Sequence, residues 1–297
     1  MAGGQERVLR RRIKSVQATR KITKAMELIA ASQIPKSQAR IVANRPYRDG
    51  MRRVIVEAAL GDPAGAAKLL AVPERVDTCV VVVIAGDRGL SGAYNSSTLR
   101  ATERLIRSLR AQGTQVRLFT VGKKAPSYFR FRGVEVEESF VGFADRPTFA
   151  DARLVAAKVV APYVDGEAQQ VMLVSTRFAS SSSQFVDTTQ LLPLTVPEMP
   201  VVEASATLKG YTEFEPEVEQ LLAYLAPRAL ESEIFSALLE GAAAFHTSQQ
   251  RAMAAATDNA DELGQTLTRV MNRARQDSIT TEIMEIVSGA EALRSGK

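Results

Sequence analysis

The stretch TCVVVVIA, Thr78 to Ala85, and the GDRGLSGAYN that follows it, Gly86 to Asn95, decide the fold of this chain. The first part is a continuous run of apolar and β-branched residues, which is typical of a parallel strand buried on both faces. The second part is a glycine-rich turn. A helical pattern over 96–112 follows the turn and ends at Gly113. A strand, a tight turn and a helix in this order predict an α/β unit.

The same alternation continues along the middle of the chain, so we expect an open, Rossmann-like α/β sheet domain over 74–200. Its remaining elements are predicted as strands at Val116–Val121, Val134–Phe140, Gln170–Ser175 and Gln184–Leu192, and as helices at Ala125–Phe131 and Thr148–Tyr163.

The glycine-rich turn invites comparison with phosphate-binding loops, which also lie between a strand and a helix. Its glycines, Gly86, Gly89 and Gly92, give G-x-x-G-x-x-G, which is neither the dinucleotide fingerprint nor the P-loop. Asp87 and Arg88 would also bring mixed charge close to a pyrophosphate. We therefore interpret this segment as a structural turn, and we expect no cofactor and no direct small-molecule ligand.

The two ends of the chain have a different character. Residues 5–59 show no strand alternation, and residues 229–293 contain no proline. As helices they would be roughly 80 and 95 Å long, whereas a compact domain of this length is only about 50 Å across. Helices longer than the domain would have to project from it and cover their apolar stripes by winding around each other. The alternative is two ordinary amphipathic helices packed on the domain.

Apolar residues at the ends recur at the narrow spacing of a coiled-coil seam. Pro35 and Pro46 argue against an unbroken first helix, because each removes a backbone donor and favours a kink. The predicted seam consists of Leu9, Ile13, Val16, Ile22, Met26 and Ile29 at the N-terminal end, and of Leu263, Leu267, Val270, Ala274, Ile279, Ile283, Ile286 and Ala290 at the C-terminal end.

Composition excludes several classes of protein. The longest strongly apolar run is too short to cross a bilayer, and we expect no secretion signal. The single cysteine, Cys79, is expected to be a buried, reduced thiol. The single histidine, His246, excludes multi-histidine metal sites and is expected to be structural or solvent-facing.

Positive charge is concentrated at the N-terminal end. Residues 1–53 carry fourteen Lys or Arg and three acids, a balance of +11 within a chain of net charge +5. A basic helix can bind nucleic acid, an anionic membrane or an acidic protein surface, and a solvated face that maintains solubility is an equal alternative.

Several motifs resemble one family. ITKAMELIAASQIPKSQ at Ile22–Gln38 and ITTEIMEIVSGA at Ile279–Ala290 closely resemble the two terminal motifs of the gamma subunit of rotary proton-translocating ATP synthases. Asp87–Leu90 and Ala256–Asn259 are also similar to that family, and all four occur in the family's order.

The resemblance implies a non-catalytic rotor in the central stalk of the complex. Long N- and C-terminal helices would form an antiparallel coiled coil inside a ring of alternating alpha and beta subunits. The inserted α/β domain would form the foot, beside the epsilon subunit and above the membrane rotor ring. The implied division is an N-terminal rotor helix at 1–60, a foot domain at 74–200 and a C-terminal rotor helix at 210–297. The implied location is the cytoplasmic face of the cell membrane, as a peripheral protein held through the complex.

By motif position, the resemblance also implies contact residues. Those facing the catalytic ring would be Arg20, Lys21, Lys24, Met26, Gln276, Thr280 and Glu282, and those near the rotor ring and epsilon would be Phe214 and Glu215. Each is equally suited to an internal contact. Two other classes remain open: an α/β enzyme with helical extensions, for which no converging acid, base or phosphate loop is visible, and a basic coiled-coil nucleic-acid-binding protein.

Overall fold

The structure is a computed structural model that describes residues 2–61, 73–194, 215 and 217–295. It divides into two compact units. One combines Met1–Ala30 with Gln249–Lys297, and the other is Ala31–Ser248. We call them the terminal unit and the sheet unit. Each of the two long helices contributes residues to both.

Ten helices and strands make up the described ranges. The helices are α1 (Ala2–Gly61), α2 (Tyr94–Ala111), α3 (Lys124–Phe131), α4 (Phe149–Val164) and α5 (Val218–Ser295); the strands are β1 (Thr78–Ile84), β2 (Gln115–Val121), β3 (Glu138–Phe140), β4 (Gln170–Phe178) and β5 (Gln184–Leu192). None of the helices in these ranges is both long and apolar enough to span a membrane.

The sheet unit contains one five-stranded sheet in the order β3-β2-β1-β4-β5. The first four strands are parallel, with Thr78 opposite Gln115 and Val80 opposite Val171 in the pairings of β1. The last strand is antiparallel to β4 and forms an edge. The fold class predicted from the sequence, an open Rossmann-like domain inserted between long terminal helices, is confirmed.

Successive residues of β1 face opposite sides of the sheet, as the period of a strand requires. Cys79, Val81 and Val83 pack with α2 and α3, and their cluster includes the fully buried Phe129. Val80 and Val82 pack with α4 and with the part of α5 that includes Ile234. Burying each valine stabilises the fold by roughly 1.5–3 kcal/mol, so the run that predicted the strand also forms the centre of the core.

The third strand is shorter than predicted. Val134–Phe140 was expected to be extended, but only Glu138–Phe140 pairs with β2. The chain first turns at Gly133, whose φ is +67°, and Val134 donates its N–H to the carbonyl of Phe129. Val134 and Val136 are thereby used to pack beside α2 and α3 rather than to extend the sheet.

The first helix continues through both prolines, so the expectation of a break is wrong. Pro35 and Pro46 lie inside α1 and are exposed. A proline cannot donate to the carbonyl four residues earlier, here that of Ala31 or Val42. An exposed position lets that carbonyl turn to water, and the helix continues.

The sheet unit also holds part of each long helix, side by side and antiparallel. Ile41 clusters with Leu239 and Ala243. Further along α1, Ala58 clusters with Leu222. Rising residue numbers on α1 thus meet falling numbers on α5.

Candidate functional site

The terminal unit is an antiparallel pair of helices with a fixed register. The hydroxyls of Thr23 and Thr257 are hydrogen-bonded at 2.8 Å, and Arg20 forms an ion pair with Asp261. A Cβ added at Gly264 would lie 3.9 Å from the side chain of Val16. The two residue numbers of each pair add up to 280 or 281, so the helices run in opposite directions. The predicted antiparallel coiled coil is confirmed.

The seam of this coiled coil differs from the predicted one on α1. Leu9 is buried and Ile13 and Val16 are partly buried, as expected. The predicted seam passes from Val16 to Ile22, and this step is wrong. The heptad continues from Val16 to Thr23 and Ala30, which are both buried. Ile22 and Ile29 are 60% and 62% exposed. Met26 is half-buried.

The seam of α5 is corrected in the same way. Leu267 and Ala274 are partly buried, as predicted. The residues that alternate with them are the buried Thr257 and the partly buried Gly264, Met271 and Ser278. The other predicted seam residues of α5 are exposed, and they are Leu263, Val270, Ile279, Ile283, Ile286 and Ala290.

The last part of α5 has no helix beside it in the described residues. In the observed register Ser278 lies level with Ala2, where α1 begins, and every side chain described from Ile279 to Glu291 is exposed. Five of them are large and apolar, and they are Ile279, Ile283, Met284, Ile286 and Val287. An apolar helix surface of this kind is characteristic of a site that another protein covers.

The basic site residues predicted on α1 lie on the surface of the coiled coil. Arg20 pairs with Asp261, and both side chains are about half exposed. Lys24 pairs with Glu27 on its own helix at 3.0 Å. Lys21 is exposed. Pairs this exposed contribute little to stability, about 0–1 kcal/mol, so these side chains remain available to another acidic surface.

The predicted residues of α5 are not brought next to those of α1. Gln276, Thr280 and Glu282 are all exposed, and Ser278 donates a 3.5 Å hydrogen bond to Glu282. Asp261 is the residue level with Arg20, and Gln276 lies about 23 Å further along the helix at 1.5 Å per residue. The structure therefore places the predicted contact residues of the two helices at two different levels of the coiled coil. Phe214 lies outside the described residues, and Glu215 is exposed.

The terminal unit accounts for the whole net charge of the chain. It contains fourteen Lys or Arg and nine Asp or Glu, an excess of five that equals the net charge of +5. The sheet unit is therefore neutral. Long-range attraction of an acidic partner would act on the coiled coil.

In the sheet unit, the polar side chains of the glycine-rich turn form hydrogen bonds within the turn and with neighbouring loops. The carboxylate of Asp87 accepts the backbone N–H groups of Lys123, Gly142 and Ala144 at 2.9–3.1 Å. The side chain of Asn95 accepts the N–H of Gly86 at 2.8 Å and donates to Arg88 and Ser91. These bonds agree with the prediction of a structural turn.

An aromatic side chain of α5 lies directly against this turn. A Cβ at Gly86 would lie 3.2 Å from the ring of Phe245, which makes an edge-to-face contact with Tyr94. In doubly wound folds this edge of the sheet, beside the carboxyl ends of the strands, is where nucleotides bind. Here α5 places an aromatic side chain in that position.

The lone cysteine and histidine are both buried. Burial raises the pKa of Cys79 to about 12, so its thiol stays protonated. Burial also lowers the pKa of His246. A 3.3 Å hydrogen bond from its ring to the carbonyl of Asp145 acts in the opposite direction but is the smaller effect. His246 is structural, one of the two alternatives stated. No group of three His, Cys, Asp or Glu suited to a metal occurs in the described part of the chain.

Sequence reasoning missed the residues that set the register, which are Thr23, Thr257, Asp261 and Gly264. Their signal is their spacing. Thr23 lies one heptad after Val16, and Gly264 one heptad after Thr257. A search confined to large apolar residues passes over threonine and glycine.

Comparison with known proteins gives matches along almost the whole chain. Residues 5–293 match the family model described as ATP synthase. The chain is 45% identical over 297 residues to the ATP synthase gamma chain of Parafrankia sp. (strain EAN1pec), and the match covers 99% of each chain. It is 43% identical over 296 residues to the ATP synthase gamma chain of Kineococcus radiotolerans, with 98% of each chain covered.

Solved structures agree with the fold. A chain from the central stalk and c-ring of the Tetrahymena thermophila mitochondrial ATP synthase has a TM-score of 0.62 and 26% identity, and the match covers 79% of this chain and 99% of that one. A chain of the Euglena gracilis mitochondrial ATP synthase has a TM-score of 0.66 over 99% of this chain and 96% of that one. Its 16% identity shows a shared fold alone.

Proposed function

We infer the function of this chain from its family, because the chain belongs to the ATP synthase gamma chains. It is a non-catalytic rotor subunit of the central stalk, and its rotation inside the alpha–beta ring couples transmembrane proton flow to ATP synthesis. Its partners are the alpha and beta subunits, epsilon and the membrane rotor ring. The full-length match is the observation that carries this conclusion, and the comparisons give no support to the nucleic-acid-binding alternative.

The antiparallel coiled coil suits a rotor because its surface is not the same all round. Arg20, Lys21 and Lys24 lie on α1, whereas the exposed apolar residues at the end of the unit all lie on α5. Each rotor angle would present a different combination of charge and apolar surface to each catalytic subunit. A partner responds to such a surface only in so far as it binds one of its conformations better than another.

At residue level, we propose that Arg20, Lys21, Lys24 and Met26 contact acidic surfaces of the ring, and that Gln276, Thr280 and Glu282 contact it at the second level. The exposure of most of these side chains and the positive charge of the unit support this assignment. Phe214 and Glu215 are proposed to face the rotor ring and epsilon.

The division into a rotor helix at 1–60, a foot domain at 74–200 and a rotor helix at 210–297 stays a prediction. The chain belongs to a membrane-associated complex. We propose that it lies at the cytoplasmic face of the cell membrane, as a peripheral protein held by its partners.

Co-purification tests the function. A tagged chain expressed with the other subunits of its complex is expected to bring down an alpha–beta ring and epsilon in fixed proportion. Recovery of the tagged chain alone, from cells in which the ring itself assembles, would contradict the assignment.

Met26→Lys tests the contact role. The side chain is half-buried, and the aliphatic stem of a lysine can occupy its place while the amine reaches water. A cation added to this basic helix, two residues from Lys24, would strengthen a contact at one angle more than at others. We expect ATP hydrolysis to be largely retained and proton pumping to fall in membrane vesicles. If Met26 is only a packing residue, both activities fall together, and their ratio measured on the same vesicles stays constant.

A further inference from the structure

One buried carboxylate joins three elements of the sheet unit. Glu240 of α5 is 7% exposed. Its Oε2 accepts the backbone N–H of Phe178, at the end of β4, at 3.1 Å. Its Oε1 lies 3.3 Å from the guanidinium of Arg177 on β4 and 3.6 Å from that of Arg48 on α1. A single side chain of α5 therefore contacts both α1 and the sheet.

The two arginines are fixed on their other sides as well. Arg48 donates to the hydroxyl of Ser236 on α5 at 3.1 Å and pairs with Asp49 at 3.0 Å. Arg177 donates to Asp187 on β5 at 3.1 Å. Burial alone would lower the pKa of Arg177, but the carboxylates of Glu240 and Asp187 raise it above its ordinary value, so this guanidinium stays charged.

The other described contacts between α1 and α5 in this unit are less directional. The apolar ones combine large residues such as Ile41 and Leu239 with small ones such as Ala243, and the hydrophobic effect that holds them together is not directional. The ion pair of Arg52 with Glu233, at 3.3 Å, has an arginine that is 55% exposed, so water and salt weaken it. Glu240 combines burial with three directed contacts.

We propose that Glu240 is a positioning residue for rotation, which holds α1 and α5 at a fixed angle to the sheet while torque passes through this unit. The proposal rests on the rotor function. Replacing a buried ion pair by apolar groups of similar size often costs no stability. The charges at this junction are therefore better explained by the geometry that they fix than by stability.

The test is Glu240→Gln in the complete membrane complex, with Glu137→Gln as the matched control. Glu137 also pairs with an arginine of the sheet, Arg117 of β2. The control loses the same charge in the same unit without disturbing the junction of α1, α5 and β4. Assembly, ATP hydrolysis, proton pumping and the thermal unfolding midpoint are measured for both variants and for the wild type.

We expect the Glu240→Gln complex to assemble and hydrolyse ATP while its ratio of pumping to hydrolysis falls about threefold, because glutamine offers the two arginines no charge and has one acceptor oxygen instead of two. The control should keep the wild-type ratio. Equal ratios in the two variants, or a ratio that follows the unfolding midpoint in both, would overturn the positioning role. Failure of the wild-type chain to assemble would instead contradict the rotor function.

If Glu240→Gln prevents assembly, the ratio of pumping to hydrolysis is measured on Arg48→Met instead. It removes the contacts of Arg48 with Glu240 and Ser236 of α5 and with Asp49, and it leaves Glu240 paired with Arg177 and with the N–H of Phe178. A reduced ratio in that complex supports the proposal, and an unchanged ratio overturns it.

Discussion

Most large apolar side chains of the sheet unit face inward, whereas most of those described in the terminal unit face solvent. Val80 to Val83 are fully buried at the centre of the sheet. On the coiled coil, Leu28 and Ile29 are about 60% exposed and Ile286 is 72% exposed, while threonine, alanine and glycine occupy much of the seam. The sheet unit thus supplies its own stability. The terminal unit carries apolar surface that only a surrounding partner can remove from water.

The largest effect is expected from the core of the sheet unit. Phe129→Ala would remove a fully buried ring and lower the free energy of unfolding by about 3–5 kcal/mol. Phe131→Ala, two residues later on the same helix, removes a ring that is 87% exposed and should change it by less than about 0.5 kcal/mol. Thermal unfolding followed by circular dichroism measures both, and similar midpoints would contradict the assigned core.

A second, smaller effect is expected at the turn after β2. Gly122 has a φ of +89°, and an added Cβ would lie 2.2 Å from the carbonyl oxygen of Ala85. Gly122→Ala should therefore cost about 3 kcal/mol, since backbone strain and a backbone clash act together. Gly133→Ala shares the positive φ but meets open space, and should cost only about 1 kcal/mol. Denaturant titration measures the free energy of unfolding of both variants. Equal losses would contradict the prediction that the backbone clash at Gly122 adds to the strain.

The coiled coil offers a sharper contrast between stability and assembly. Leu267 lies in the seam, whereas Ile283 is 54% exposed beyond the paired region. Leu267→Asp should cost about 2 kcal/mol by burying a charge in part. Ile283→Asp should leave the isolated chain unchanged within about 0.5 kcal/mol, yet weaken its capture of the alpha–beta ring in co-purification. If Ile283→Asp assembles like the wild type, the apolar end of α5 is not a contact surface.

The smallest effect is expected from pH. Burial lowers the pKa of His246 below its ordinary value of 6.5, so the unfolded chain binds this proton more readily than the folded one. Its stabilising contribution is complete above about pH 6.5 and is lost as the pH falls through that value toward the folded pKa. His246→Gln should flatten the decline of unfolding free energy between about pH 7 and 5.5. An unchanged slope would show that His246 does not contribute to the decline.

The sheet was predictable because its signal is local and redundant. The run from Cys79 to Ala85 is apolar at every position, so the strand could be identified without deciding which of its faces is buried. The length of β3 was overestimated for a related reason. Val134 and Val136 have the apolar character of a strand, and the sequence does not reveal that they pack beside helices instead.

The coiled coil was predictable as a pair of helices but not in its seam. A helix that meets a partner helix on one side and a partner protein on another has apolar residues on both sides. The spacing of apolar residues alone does not reveal which stripe faces the partner helix. Large residues such as Ile22 and Ile279 proved to face solvent. The hydrogen bond between Thr23 and Thr257 joins residues 234 positions apart, and no local pattern predicts it.

The two prolines of α1 give the helix a preferred direction of bending. Pro35 and Pro46 are eleven residues apart, close to three full turns, so they lie on nearly the same side. Each removes one hydrogen bond from that side, and the two weak points therefore share one plane instead of cancelling. Within the sheet unit, α1 should therefore bend more easily in the plane that contains its prolines than at right angles to it.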